Sequence, residues 1–491
     1  MKEKKLLELI EQFIAYGKKK LALNEIDAIA AKNYLYAEFD IYPSDDVNIS
    51  FFSEDVNYYV DEFYNAFDQL GLSENDISIH LAKIFDYISP RPSIVNETFH
   101  NLLDKTNKAS EYLYDFGVNN YYIHQKDIQK NIFYNEDIEY SINLSKPEKN
   151  NKDIAKLLTA KQTNYPKCML CEENLGFAGN EKKPSRYNLR FAYLDVNNER
   201  WFFQYSPYGY FDHHFILVDQ KHEFMEMSPR IINMLISFVD MFPYFTIGSN
   251  SDLPRVGGSI LNHEHFQGGK HIFPLQKAKD KFVISLSKYK HTKLSYLDFY
   301  NSSFKIVSKD KNELLSLASE LLSKWRIYQD EEIDIYPFDE NNNRQSTITP
   351  IISKNKNDEY ELYIVLRNNA VNKDYPDGIF HAHKEYFFIK KEGLGLIEEL
   401  GLFILPARLK RQIEQVKDVL SNKLDEKTYL EKYPDLIDFK MMINDLRNRS
   451  DITIESYILD ICRKIIINSK IFKDDEKGLS SLNRFINSLD I

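Results

Sequence analysis

A chain of 491 residues, 43% of them hydrophobic, is long enough for two or three packed units and too apolar to be disordered. Its 74 acidic and 63 basic residues give a formal net charge of -11, and no Lys/Arg run is long enough to make a nucleic-acid or anionic-membrane patch. No stretch approaches the roughly 18 apolar residues that span a bilayer, and three cysteines cannot build a secreted disulfide framework, so a soluble, cytoplasmic chain without nucleic-acid or membrane partners is expected.

Residues 1–135 read as a helical N-terminal region. Leu6, Leu7, Ile10, Phe13 and Ile14 recur at helical spacing in the first segment, as do Val60, Phe63, Phe67 and Leu70 further on. Ser89-Pro90-Arg91-Pro92 must interrupt helix, because proline lacks the N–H and clashes with the preceding turn. From 136 to 300 the texture changes to short β-like runs, among them Trp201 to Tyr205, Phe215 to Val218 and Phe245 to Ile247. One helix stands out there: Ser228 is placed to cap it, Pro229 suits its first turn, and Ile231, Leu235, Phe238 and Phe242 form one apolar face.

A third unit, 301–400, combines a helix near Leu314 to Trp325 with strands near Tyr360 to Leu366 and Tyr386 to Ile389, and 401–491 returns to helix. The fold class expected is α+β with antiparallel sheets. Two units each carrying a His-x-His suggest an old duplication. Gly393-x-Gly395 lacks the third glycine of a dinucleotide fingerprint and reads as a turn.

The segment richest in chemistry is Gly257 to Gly269, GGSILNHEHFQGG, where glycine pairs bracket two histidines and a glutamine. In extended backbone His263, His265 and Gln267 share one face, while Glu264 and Phe266 take the other. Glycine lets backbone approach a ligand closely and present N–H groups to phosphate oxygens. A lone His-x-His is more often part of an ordinary hairpin. The three-position polar face, the double glycine brackets and a Cys-x-x-Cys pair elsewhere argue together for a site.

HEHFQ resembles the His-x-His-x-Gln motif of the histidine triad superfamily, in its transferase branch. The segments ISPRPSIVNETFHNLL, EYSINLSKPEK, YPKCMLCEENLGFAGN, WFFQYSPY, GGSILNHEHFQGG and YPDGIFHAHKEYFFIKKEGLGLIEELGLFILPARL resemble the second, bacterial sequence class of galactose-1-phosphate uridylyltransferases, over nearly the full chain. The resemblance implies two histidine-triad-like units, at 136–300 (catalytic) and 301–400, flanked by a helical N-terminal extension and a helical C-terminal region. It implies exchange of UMP between UDP-glucose and galactose 1-phosphate, and a homodimer.

In that reading His265 is the nucleophile. Neutral imidazole is nucleophilic near pH 7, its reference pKa being about 6.5, and a covalent intermediate divides one transfer into two displacements. A sugar phosphate leaves as a stable anion, so the site needs a donor to the phosphoryl oxygens more than a general acid. Gln267 suits that role, where hydrolytic relatives carry a third histidine. One ring nitrogen of His265 should be held by a backbone carbonyl, freeing the other to attack. The better-known first class has Pro and Gly where this chain has Glu264 and Phe266, so the local backbone is expected to differ.

Relatives bind structural zinc with a Cys-x-x-Cys pair, a downstream histidine and the first motif histidine. The matching residues are Cys168, Cys171, His222 and His263, with His213 or His214 as substitutes for His222. Two thiolates and two imidazoles form a reasonable tetrahedral set, although a cytosolic Cys-x-x-Cys is equally compatible with buried thiols or a redox pair. Cys462 reads as core.

Arg186, Asn188 and Arg190 alternate before a β-like run that the resemblance places near the nucleotide, and Asn250, Gly257, Gly258 and Ser259 stand where relatives cradle uridine and the α-phosphate. His381-Ala-His383 lacks the trailing glutamine and suits either a second metal site, the hexose of a partner subunit, or a plain surface. Arg367, Asn368 and Asn369 are candidates for sugar or phosphate contact. Two other functions share these features: a nucleotide phosphorylase of the same superfamily, and a non-catalytic zinc protein that binds nucleotide sugars.

Overall fold

Apolar residues three and four apart wind the N-terminal region into helices Glu3–Lys20, Glu25–Phe39, Val56–Gln69, Glu74–Tyr87, Pro92–Leu102 and Lys108–Asn119 in the computed structural model. The structure describes residues 3–45, 47–103, 106–144, 164–180, 183–257, 260–391, 393–449 and 451–491. Phe13, Tyr59, Phe63 and Phe85 interlock at the centre of this bundle, with ring centroids 5.0 to 5.2 Å from Phe13. The Ser89–Pro92 break falls as expected: one helix ends at Tyr87 and the next begins with Pro92 in its first turn.

Strands β1 (Ile132–Asn135) and β2 (Glu139–Asn143) form a hairpin. After them come β3 (Ala192–Val196), β4 (Glu199–Tyr205), β5 (Phe215–Asp219), β6 (Thr246–Ser249) and β7 (His265–Gly269). The later strands are β8 (Asp280–Ile284), β9 (Thr292–Leu297), β10 (Ser303–Ser308), β11 (Ser346–Lys354), β12 (Tyr360–Asn368) and β13 (Leu402–Pro406). The turn joining β3 to β4 is Asn197-Asn198, both at positive φ (51° and 63°), which is the backbone twist a two-residue hairpin requires.

Ten of these strands make one antiparallel sheet in the order β3-β4-β5-β7-β6-β11-β12-β10-β9-β8. β8 pairs with β9 and β9 with β10, so these two strands, which precede residue 300, belong in space with the later strands. The halves meet where β6 pairs with β11, Gly248 opposite Ile351. Gly248 has no room for a side chain there, since a Cβ would lie 2.7 Å from the Pro350 carbonyl and 2.8 Å from Leu396.

Alternation gives the sheet two different faces. Trp201, Phe203, Phe215, Leu217 and Phe266 belong to the large core, and the helices Pro229–Met241 and Lys311–Trp325 supply its other side: Phe238 meets Phe215 at 5.2 Å. Ser228 precedes the first of these helices in extended backbone with Pro229 at the first turn, but its hydroxyl makes no capping bond. The apolar run Tyr386 to Ile389, expected as a strand, is instead a short 3-10 turn at Lys384–Tyr386. Phe388 and Ile389 are buried against the C-terminal helices, so packing there uses the side chains without a ladder. The helical C-terminal region also contains a strand, β13, which pairs parallel with β2 and ties the last unit to the hairpin after the bundle. No helix among the described residues is long and apolar enough to cross a membrane.

Candidate active site and metal centre

The motif strand β7 lies between β5 and β6, with His265 opposite Val218 and Gln267 opposite both Ile216 and Gly248. Residues directly opposite share a face, so His265 and Gln267 project together, as their spacing predicted. Phe266 points the other way and stacks on Trp201, centroids 4.7 Å apart at 20°. Gly268 and Gly269 end the strand where side chains cannot fit: a Cβ at 268 would lie 2.5 Å from the Phe215 ring, and one at 269 would lie 2.6 Å from Phe211.

His265 is buried, and its Nδ1–H donates to the His263 carbonyl at 2.8 Å. The proton is thereby fixed on Nδ1 and the lone pair on Nε2. Burial pushes the imidazole pKa down to about 4, so the ring is neutral at pH 7. This is the geometry the sequence suggested for a nucleophile held by a backbone carbonyl.

His263 precedes the strand and does not converge with the other two polar groups. Its Nε2–H donates to the Asp219 carbonyl at 2.8 Å, which leaves Nδ1 as the free lone pair, 3.2 Å from Cys168 Sγ and 3.7 Å from Cys171 Sγ. His222 Nδ1 is 3.0 Å from Cys171 Sγ, and the two sulfurs are 3.5 Å apart. The four ligand atoms all lie within 4.8 Å of one another. A zinc ion with bonds of about 2.3 Å to sulfur and about 2.0 Å to nitrogen spaces its ligand atoms about 3.3 to 3.8 Å apart, so these residues fit such an ion. The Leu170 N–H reaches Cys168 Sγ at 3.3 Å and the Cys168 N–H reaches Cys171 Sγ at 3.4 Å, an arrangement that favours thiolates. Asn174 holds the loop by donating to the Cys168 and Cys171 carbonyls.

Glu264 is buried, and both its oxygens accept from Arg230 Nη1, at 2.9 and 2.8 Å. Arg230 also donates through Nε to Glu199 at the start of β4. The segment between the histidines is thus clamped from outside by an ion pair, a restraint suited to a chain with Glu264 in place of proline.

The other candidates divide. Arg190 is buried and committed to the scaffold, with its guanidinium bonded to Asp86 Oδ1 and to the carbonyls of Pro90, Tyr187 and Leu189. Asn188 and Asn120 exchange side-chain-to-carbonyl bonds across the join to the bundle. Of that trio Arg186 alone stays half-exposed, its guanidinium 5.8 Å over the Tyr122 ring. Asn250 is buried and accepts the Leu396 N–H at 2.8 Å, so it ties the end of β6 to the short helix Leu396–Glu399. Gly257 bridges to Ser251 and closes the loop, and Gly258 and Ser259 lie outside the described residues. Arg255 in that loop donates to Asn369 Oδ1 at 3.0 Å, whereas Arg367 is buried against Glu399 and the Leu394 carbonyl, and Asn368 is bonded to Ser346.

His222 takes the zinc position it was given, and a residue whose place beside Gln267 the sequence did not reveal is His214. It was a substitute zinc ligand by position; its Nε2 instead lies 3.1 Å from Gln267 Oε1. The available signal was the register: His214 continues β5 two residues before Ile216, the cross-strand partner of Gln267. His213 points elsewhere again, stacked on Tyr114 at 3.9 Å and bonded to Asp212 and Glu111.

An antiparallel sheet thus carries a buried, carbonyl-held histidine beside a glutamine, backed by a two-cysteine, two-histidine cluster able to hold a metal ion. The model of the galactose-1-phosphate uridyl transferase N-terminal domain matches residues 61–223. The galactose-1-phosphate uridylyltransferase of Caldanaerobacter subterraneus is 37% identical, covering 97% of this chain and 96% of that one. The enzyme of the same name from Clostridium acetobutylicum is 36% identical, covering 98% of this chain and 99% of that one. The chain belongs to the galactose-1-phosphate uridylyltransferase family. Among solved structures, yeast Ap4A phosphorylase Apa2 aligns at 12% identity over 65% of this chain and 92% of that one, with a TM-score of 0.31, too slight a likeness to build on.

Proposed function

We propose that this chain moves the uridylyl group of UDP-glucose to galactose 1-phosphate, yielding UDP-galactose and glucose 1-phosphate, by two displacements at His265. The observation that carries the reading is the Nδ1–H bond of His265 to the His263 carbonyl, which leaves a neutral ring with its Nε2 lone pair free. In the first step Nε2 attacks the α-phosphorus, the bond from that phosphorus to the bridging oxygen breaks, and glucose 1-phosphate leaves with the electron pair. The ring becomes a cation as the N–P bond forms, and its Nδ1–H bond to a carbonyl strengthens accordingly. A phosphate oxygen of galactose 1-phosphate then attacks the same phosphorus and expels neutral imidazole.

Gln267 stands beside the reacting nitrogen on the same face, where an amide N–H can stabilise charge on the phosphoryl oxygens. Cys168, Cys171, His222 and His263 would hold zinc. The ion's part is structural, linking the Cys-x-x-Cys loop to the residue whose carbonyl orients His265. Uridine and its α-phosphate would lie along the loop from Asn250 to Gly257, with Arg186 within reach of the nucleotide.

The test is isotope exchange. Labelled glucose 1-phosphate should enter UDP-glucose with no galactose 1-phosphate present, and initial-rate plots for the two substrates should be parallel. The trapped intermediate should survive base and be lost in acid, because a phosphoramidate hydrolyses once its nitrogen is protonated. Exchange that requires the second sugar phosphate, with no base-stable labelled protein, would replace this route by a single displacement.

A further inference from the structure

We infer that His214 is a positioning residue that sets the orientation of the Gln267 amide, and that the turn presenting it is anchored by the N-terminal helical bundle. The inference rests on the functional reading above and extends it.

A carboxamide has two ends of similar shape and opposite hydrogen-bonding character, so Gln267 helps a phosphoryl oxygen only if its NH2 end faces the reacting centre. The orientation follows from the neighbours. His214 is buried at 3% exposure, and its Nδ1 lies 3.5 Å from the Tyr210 N–H, which can only donate. Nδ1 is therefore the acceptor nitrogen of a neutral ring, and burial, which pushes this imidazole down to about 4, keeps it neutral. The proton must then be on Nε2, and the group 3.1 Å away on Gln267 must be its carbonyl oxygen. With that oxygen engaged, the amide N–H groups are the end of Gln267 left for a ligand on the face of β7 it shares with His265.

The turn that delivers His214 has its own restraints. His213 sits at φ 52°, in the left-handed region that a residue with a side chain seldom occupies, and it is fixed there from outside the sheet. Its ring stacks on Tyr114 and its Nε2 meets Glu111, both on the helix Lys108–Asn119. Lys270, directly after β7, pairs with the same Glu111 and donates its backbone N–H to Asp212 at 2.9 Å. The helical region thus reaches both the turn before β5 and the end of the motif strand.

The experiment measures transfer by full-length H214F and H214Q, each alone and in a Q267A background, with melting temperature and bound zinc as controls. H214F should lower kcat by about tenfold to a hundredfold with KM little changed, since it removes a restraint on a donor whose full loss costs about a hundredfold or more. H214Q, whose amide N–H can replace Nε2–H, should recover most of that loss. In Q267A, neither substitution should lower the rate further. An equal loss in both backgrounds, or no loss in either, overturns the inference. Should H214F not accumulate as folded protein, H214N, which keeps a polar group but stops short of Gln267, is read by the same criteria. A wild-type protein that transfers no uridylyl group counts against the functional reading, whereas an active wild type matched by an equally active H214F counts against His214 alone.

Discussion

The chain contains two His-x-His segments, and the fold gives them different lives. In the first, His263 and His265 are separated by a buried glutamate, and each ring has one nitrogen tied to a backbone carbonyl and the other left without such a bond, that of His263 beside two sulfurs and that of His265 on the face of β7 it shares with Gln267. In the second, no strand forms. His381 Nδ1 donates to its neighbour's carbonyl, that of Ala382, at 2.9 Å; His383 lies 3.2 Å from the Ile379 carbonyl and stacks on Tyr375 at 4.1 Å. No metal-ligating cluster forms around them among the described residues. An identical spacing therefore specifies no chemistry. What differs is whether a ladder fixes the backbone and which partners take up the second nitrogen.

That contrast is tested most severely at its strongest point. H265A should abolish transfer while leaving the melting temperature near that of the wild type; near-normal turnover would falsify the role given to this ring. Q267A should retain the fold and the covalent intermediate but lose about 2.7 to 4 kcal/mol of transition-state stabilisation, equivalent to a hundredfold to a thousandfold in kcat. Burst and exchange rates should fall together, and a variant slowed in one half-reaction only would assign Gln267 a narrower part.

C168S should lose bound zinc and melt about 5 °C or more below the wild type, measured by elemental analysis alongside calorimetry. Protein purified without tag or added metal that contains neither zinc nor iron would leave Cys168 and Cys171 as buried thiols. A smaller effect comes from pH. Burial lowers the His214 pKa to about 4, against about 6.5 in an unfolded chain. Between those values the unfolded state binds more protons, so this group makes the fold less stable as pH falls from about 6.5 to about 4. Melting temperature across that window should decline less steeply in H214Q than in the wild type.

The smallest change is expected from the second segment. H383A loses one carbonyl contact and a stack, about 1 kcal/mol of stability, and should leave both zinc content and uridylylation of His265 unaltered. A large drop in transfer would bring this segment into the site and erase the distinction between the two.

The sequence by itself determined the family-level chemistry. Period and punctuation placed the helical bundle, the Ser89–Pro92 break and the runs that became β4, β5 and β6, because local propensity and alternation act over a few residues. The carbonyl-held His265 and the Cys168, Cys171, His222, His263 set were also legible, from spacing and from the resemblance of the surrounding segments. The tertiary structure decided what depends on partners distant in the chain. Arg190 met Asp86 and Asn188 met Asn120, so residues that looked free for a nucleotide hold the bundle to the sheet. Phe388 and Ile389 found a core among the C-terminal helices and needed no ladder. His214 faced Gln267 because β5 pairs with β7 in one register, and a shift of one residue would have turned it to the opposite face. Periodicity reports which side of an element is apolar, but it carries no information about which other element comes to lie against the polar side.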